Sequence, residues 1–118
     1  MSKKIRTFST GATRNLDENK FDYEGFLSPI VLKRFAEYMH NHRRQADGSF
    51  RDSDNWQKGI PKDAYMKSMF RHFMDLWTLH RNPKADFIRN PEGEDVDKSE
   101  LLSALMFNVM GYLYEELK

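Results

Sequence analysis

The sequence contains no cysteine, which excludes disulfides and thiolate metal sites and fits a reducing compartment without requiring one. It holds no apolar run near the ~20 residues that cross a bilayer. The basic start "MSKKIRTFST" lacks the apolar stretch of a signal peptide. The expectation is a soluble, cytoplasmic chain with no membrane partner. An excess of one charge is missing too: 19 Lys and Arg face 18 Asp and Glu, for a net charge of +1. Binding driven by a broad field is therefore not expected, and nucleic acid is not an expected partner. There is no internal repeat and no low-complexity segment.

What is present is one domain's worth of chain. Its 118 residues are enough for one small core and too few for two. Nine Phe and seven Met make that core one of large, adaptable side chains. Residues 1–27 show no sustained period, and "STGATRNLDENKFDYEGF" reads as an extended arm that packs through Phe21, Tyr23 and Phe26. Residues 28–118 read as a single helical domain.

Three long helices are predicted. The first opens at Ser28, a good N-cap, with Pro29 giving up an amide that would lack a partner anyway. Val31, Phe35, Tyr38, Met39 and His42 then recur at helical spacing. The second begins near Pro61 and runs to about His80, stopped by Asn82–Pro83. The third is capped by Asp97 with Glu100 three residues on, and runs to the C-terminus. Strand signals are weak, and "DFIRN" at 86–90 is too short to count. The expected fold is all-α: a small bundle of three long helices with an N-terminal arm, plus a short helix in the arm or the 83–96 loop. The third helix is apolar over most of its girth, from Leu101 to Leu113. Such a helix needs cover from more than one side, so a homo-oligomer is expected to complete the fold, the alternative being a monomer covered by its own N-terminal arm.

Several residues can carry chemistry. Arg71, His72 and Asp75 share a face of the second helix by their spacing. They form either a solvated face with an ion pair, or a cationic fork and imidazole aimed at phosphate beside an orienting carboxylate. The segment "PEGEDVDKSE" clusters Glu92, Glu94, Asp95, Asp97 and Glu100, which suits a hard cation or simply acid at a helix N-terminus. Asn108 interrupts an apolar run, where a buried amide must find partners. It either satisfies backbone or lines a polar pocket. Glu37, His40, Asn41 and Arg44 in the first helix match no metal-ligand spacing, and "HNH" at 40–42 lacks the strand-rich context of a nuclease motif. Trp56, in the polar loop "RDSDNWQKGIP", is either a base platform or a plug that pins the loop to the second helix.

Taken together, "STGATRN", "ENKFDYEGFLSP", "SDNWQKGIP", "FRHFMDLW" and "LLSALMFNVMGYL" resemble the dATP/dGTP diphosphohydrolase (MazZ-type) family of phages and bacteria. That family is similar to the all-α nucleoside triphosphate pyrophosphatases of the MazG kind. The resemblance spans residues 9–115 and rests on five short motifs falling in register. It implies a metal-dependent pyrophosphohydrolase of purine (deoxy)nucleoside triphosphates, giving the monophosphate and pyrophosphate, in the host cytoplasm if phage-encoded. By the matching positions, Arg71, His72 and Lys58 would be catalytic, and Lys20, Asp22, Asn55, Trp56 and Asn108 would bind the nucleotide. Mg²⁺ or Mn²⁺ is implied, with Glu37, Asp75 and Glu94 as its carboxylates. The E-x-x-E pair usual in the helical pyrophosphatases is absent from the first helix, where Glu37 stands alone. "HNHRRQADGS" also replaces a G-x-K-Y element common in the family. A nucleotide-binding protein without turnover, such as one that sequesters a nucleotide signal, is the alternative. A purely structural oligomer is the third reading.

Overall fold

A computed structural model describes residues 4–118. In chain order it contains β1 (Ile5–Thr7), β2 (Thr13–Asn15), α1 (Tyr23–Phe26), α2 (Pro29–Asn41), a 3₁₀ turn (Asn55–Lys58), α3 (Lys62–His80), β3 (Phe87–Arg89), β4 (Asp95–Asp97) and α4 (Lys98–Leu117).

The all-α expectation is corrected. The chain is 52 % helical in four helices, with two small antiparallel sheets, and it is a mixed α/β fold rather than a three-helix bundle. The two hairpins pair Ile5 with Asn15 and Thr7 with Thr13, and Phe87 with Asp97 and Arg89 with Asp95. Each strand is three residues long, too short for a period-2 alternation to stand out from a loop. The turns supply the local signal: Gly11 and Gly93 sit at φ 90° and 82°, backbone that side chains other than glycine's rarely adopt.

The long helices start where capping chemistry places them. Ser28 Oγ accepts from the Val31 amide at 3.3 Å, ahead of Pro29 at the first helical position. Asp97 Oδ1 accepts from the Glu100 amide at 2.8 Å. The α3 helix instead follows Pro61 without a side-chain cap.

α3 and α4 run antiparallel as the central pair. Near one end, Tyr65 packs edge-on to Phe107, with ring centroids 5.8 Å apart, and against Gly111. Lys62 pairs with Glu116 at the same end. At the other end Leu79, Val96 and Leu101 form the buried core, with Leu76, Ala85 and Ile88 packed around it. The β3–β4 hairpin thus closes the core under the helix pair. α2 joins α4 through Arg34, which reaches Glu100 Oε2 at 2.6 Å and Ser99 Oγ at 3.1 Å.

The arm does not pack as expected. Phe21, Tyr23 and Phe26 stay 76 %, 67 % and 79 % exposed. β1–β2 pairs with itself, and Arg6–Asp17 and Lys4–Glu18 ion pairs tie it to the following turn. Among the described residues, no apolar face lies under those rings.

Candidate functional site

A cleft of about 610 Å³ opens between the C-terminal end of α2, the middle of α3, the β3–β4 turn and the start of α4. Spacing along α3 puts Arg71, His72 and Asp75 on its wall, as the sequence predicts. Opposite them the turn brings Asn90, Glu92, Glu94 and Asp95, and α4 brings Glu100. The turn is held by Asn90, whose Oδ1 accepts from the Glu94 amide at 2.8 Å. Among the described residues Arg71 forms no ion pair, so the pairing with Asp75, one of the two alternatives, is not made. Its guanidinium is left to the cleft.

Electrostatics differ along the wall. Burial lowers the His72 pKa from its ordinary 6.5, Asp75 pulls it back up, and Arg71 and His42 push it further down. His72 is therefore the neutral imidazole in a cleft rich in carboxylates, and an arriving anion favours its protonated form. Burial, with Glu100 adding to it, raises the Tyr38 hydroxyl to about 12, so this group stays a neutral donor.

A second cleft, of about 1080 Å³, adjoins the first and shares Tyr38, His42, Glu94 and Glu100 with it. Its walls include Asn55 and Trp56 from the 3₁₀ turn, Phe107 and Met110 from α4, and Arg43, Arg44 and Arg51. Trp56 is half-buried and packs edge-to-face on Tyr114, with centroids 4.8 Å apart at 90°. It pins its loop to α4, not to α3, while part of the indole still lines the cleft.

His42 sits where the clefts meet, at the end of the HNH stretch that lacks a nuclease motif's strand-rich context. Its Nδ1–H donates to the Tyr38 carbonyl at 2.9 Å, and its ring stacks on Tyr38 at 4.0 Å. That leaves Nε2 facing Glu100 Oε1 at 3.5 Å, with Glu100 held in turn by Arg34. Tyr38, His42, Asn90 and Glu100 come together only through tertiary contacts. The sequence hints were the i, i+4 spacing of Tyr38 and His42 on the first helix and the acidic cluster that holds Glu100.

The other expected site residues lie elsewhere. Asn108 is 3 % exposed and its Nδ2 donates to the Ala104 carbonyl at 2.8 Å, the backbone-satisfying alternative. Lys58 is solvent-exposed and lies 3.9 Å from Asp52. Lys20 pairs with Asp17 in the arm at 3.5 Å. Asp22 caps α1, accepting from the Gly25 amide at 2.9 Å. Glu37 faces Arg34 at 3.7 Å and lines neither cleft.

A divalent ion has a limited fit. No three His, Asp or Glu side chains converge to hold a metal among the described residues, so no all-protein cage exists. Mg²⁺, however, is commonly held by one or two carboxylates together with substrate phosphates. Asp75 and Glu94, both on the first cleft, fit that arrangement, and Glu37 does not.

No helix among the described residues is long and apolar enough to cross a membrane. Comparison with known proteins identifies no family: no family model matches the chain, and no curated protein or solved structure matches it significantly.

Proposed function

We propose that the chain binds a purine (deoxy)nucleoside triphosphate across the joined clefts and hydrolyses it to the monophosphate and pyrophosphate. It works in the cytoplasm as a homo-oligomer and needs Mg²⁺ or Mn²⁺, as the dATP/dGTP diphosphohydrolase resemblance implies. The observation that carries the reading is the free Arg71 beside His72, on a cleft that also holds Asp75, Glu92, Glu94, Asp95 and Glu100 and is continuous with one holding Trp56.

Each residue has a physical task. Arg71 presents a planar two-pronged donor that matches phosphate oxygens, and it stabilises charge building on the phosphoryl group. His72 gains a proton as the anion approaches and becomes a second donor. Trp56 and Phe107 flank the space for the base, where stacking on an aromatic face stabilises by about 1–3 kcal/mol. Asp75 and Glu94 would hold the divalent ion, which when bound neutralises phosphate charge and lowers the pKa of its water. The Glu94 carboxylate also accepts from the Asn90 side-chain amide at 3.4 Å within the β3–β4 turn. The reading gives no role at the nucleotide to Lys20, Asp22, Lys58, Asn108 or Glu37.

The second reading is binding without turnover. The missing E-x-x-E pair and the absence of a converged donor set among the described residues favour it. Incubation with a nucleotide panel in Mg²⁺ or Mn²⁺, with products resolved by anion exchange, separates the two. Monophosphate and pyrophosphate in equal amounts are expected. Intact nucleotide recovered on the protein selects binding alone, and neither outcome with any purine nucleotide overturns both.

A further inference from the structure

The second cleft carries a group of cations to which the nucleotide reading gives no task. Arg43, Arg44 and Arg51 all line it, on the same wall system as Trp56. In a chain whose net charge is only +1, three guanidinium groups gathered on one cleft are a local excess. Like charges this close repel one another, and a carboxylate, solvent or a bound anion must offset the repulsion.

The nearby carboxylates are engaged elsewhere. Among the described residues the arginines in ion pairs are Arg6, Arg34 and Arg89, and none of these three. Asp52, on the wall of the same cleft, faces Lys58 at 3.9 Å. Glu100 is held by Arg34, and Glu94 accepts from Asn90. Asp47 accepts from the Ser49 amide and hydroxyl at 3.0 and 2.6 Å.

Backbone bonds fix where the arginines stand. Residues 43–51 fold back on themselves: the Arg51 amide donates to the Arg43 carbonyl at 2.8 Å, and Arg44 bridges to Phe50. Arg43 Nε donates across this hairpin to the Arg51 carbonyl at 2.8 Å, and Arg51 Nη1 donates to the His42 carbonyl at 3.1 Å. Each bond uses one of the five N–H groups of a guanidinium and leaves the others as donors. Arg44 spends none of its donors within the described residues. The hairpin grows from "HNHRRQADGS", where the chain departs from the diphosphohydrolase pattern, so the resemblance assigns it nothing.

We infer that this hairpin binds a second phosphoryl group, carried on the sugar of the purine nucleotide whose 5′ phosphates lie at Arg71. The ligand class is a purine nucleotide phosphorylated at both its 5′ and 3′ oxygens. The 3′ oxygen is the one that ribose and deoxyribose share. Room is sufficient: the second cleft, at about 1080 Å³, reaches the top of the about 300–1,000 Å³ that a whole drug-sized ligand fills. A base on Trp56 therefore leaves space for a further group. Guanidinium forks match phosphate oxygens in pairs, and only a ligand with the extra phosphate makes that contact. The inference rests on the proposed nucleotide site and extends the ligand beyond the 5′-triphosphate.

Calorimetric titration of the full chain in Mg²⁺ tests it, using deoxyadenosine and deoxyguanosine 5′-monophosphates and the matching 3′,5′-bisphosphates. A bisphosphate is expected to bind about tenfold tighter than its monophosphate, or more. Arg44→Gln is expected to abolish that gain and leave monophosphate affinity unchanged. If Arg44→Gln does not fold, Arg44→Lys takes its place, keeping the charge and losing the fork. Equal affinities of the native chain for both ligands overturn the inference and leave the nucleotide site standing. A gain that survives in the folded variant also overturns it, by placing the second phosphate elsewhere. A variant that loses the monophosphate too puts the 5′ phosphate on the hairpin and overturns both assignments. No binding of any of the four nucleotides to the native chain overturns the nucleotide site and the inference together.

Discussion

His72 illustrates how one side chain's setting becomes measurable. Burial lowers its pKa below 6.5 despite Asp75, so the folded chain binds fewer protons there than the unfolded chain. The neutral state's contribution is fully present above pH 6.5 and is lost as the pH falls through the lowered folded value. The urea midpoint is expected to drop over that window, and His72→Gln to flatten the drop. Asp97 titrates in a separate, lower window: its carboxyl is held below 3.8 chiefly by the Glu100 backbone amide. A polyphosphate at Arg71 and His72 opposes the depression, so nucleotide binding is expected to take up protons near pH 6.5. Calorimetry in buffers of different ionisation enthalpy reads that uptake. Identical heats in all buffers would remove His72 from the anion site. The Arg71, His72 and Asp75 group was legible in the sequence because three- and four-residue spacings fix a helical face. Asn108 was legible only as a pair of alternatives, since burial alone does not say which partner an amide finds.

At the scale of elements, the α3–α4 contact depends on a small residue. A Cβ at Gly111 would overlap the ring of Tyr65, which is 1 % exposed. Gly111→Ala would raise helix propensity by about 0.5–1 kcal/mol in an open site. Here the overlap costs about 1–3 kcal/mol, so a net loss in urea unfolding is expected. A stabilised variant would show that the two helices can part without cost. The three long helices were readable because Ser28, Asp97 and the prolines mark their ends by hydrogen-bond chemistry. The hairpins were not, since three-residue strands carry too little alternation. Trp56 was readable as an anchored indole, but its partner Tyr114 is far along the chain, and no local pattern selects α4 over α3. His42 and Asn90 escaped for the same reason, and Glu100 was legible only as one of an acidic cluster, because its partners Arg34 and His42 lie far along the chain.

For the whole molecule, two adjoining clefts share Tyr38, His42, Glu94 and Glu100 and so offer one continuous surface. The central claim is that Arg71 receives phosphate within the joined clefts. It is tested most directly by titrating a non-hydrolysable purine deoxynucleoside triphosphate, in Mg²⁺, into the native chain and into Arg71→Lys. The variant keeps the charge and loses the planar fork, while an exposed arginine engaged only in surface pairing stabilises by about 0–1 kcal/mol. The account predicts one nucleotide per chain, at least tenfold weaker binding to the variant, and an unchanged melting temperature. Equal affinity of both proteins, or no binding to the native chain, would contradict it.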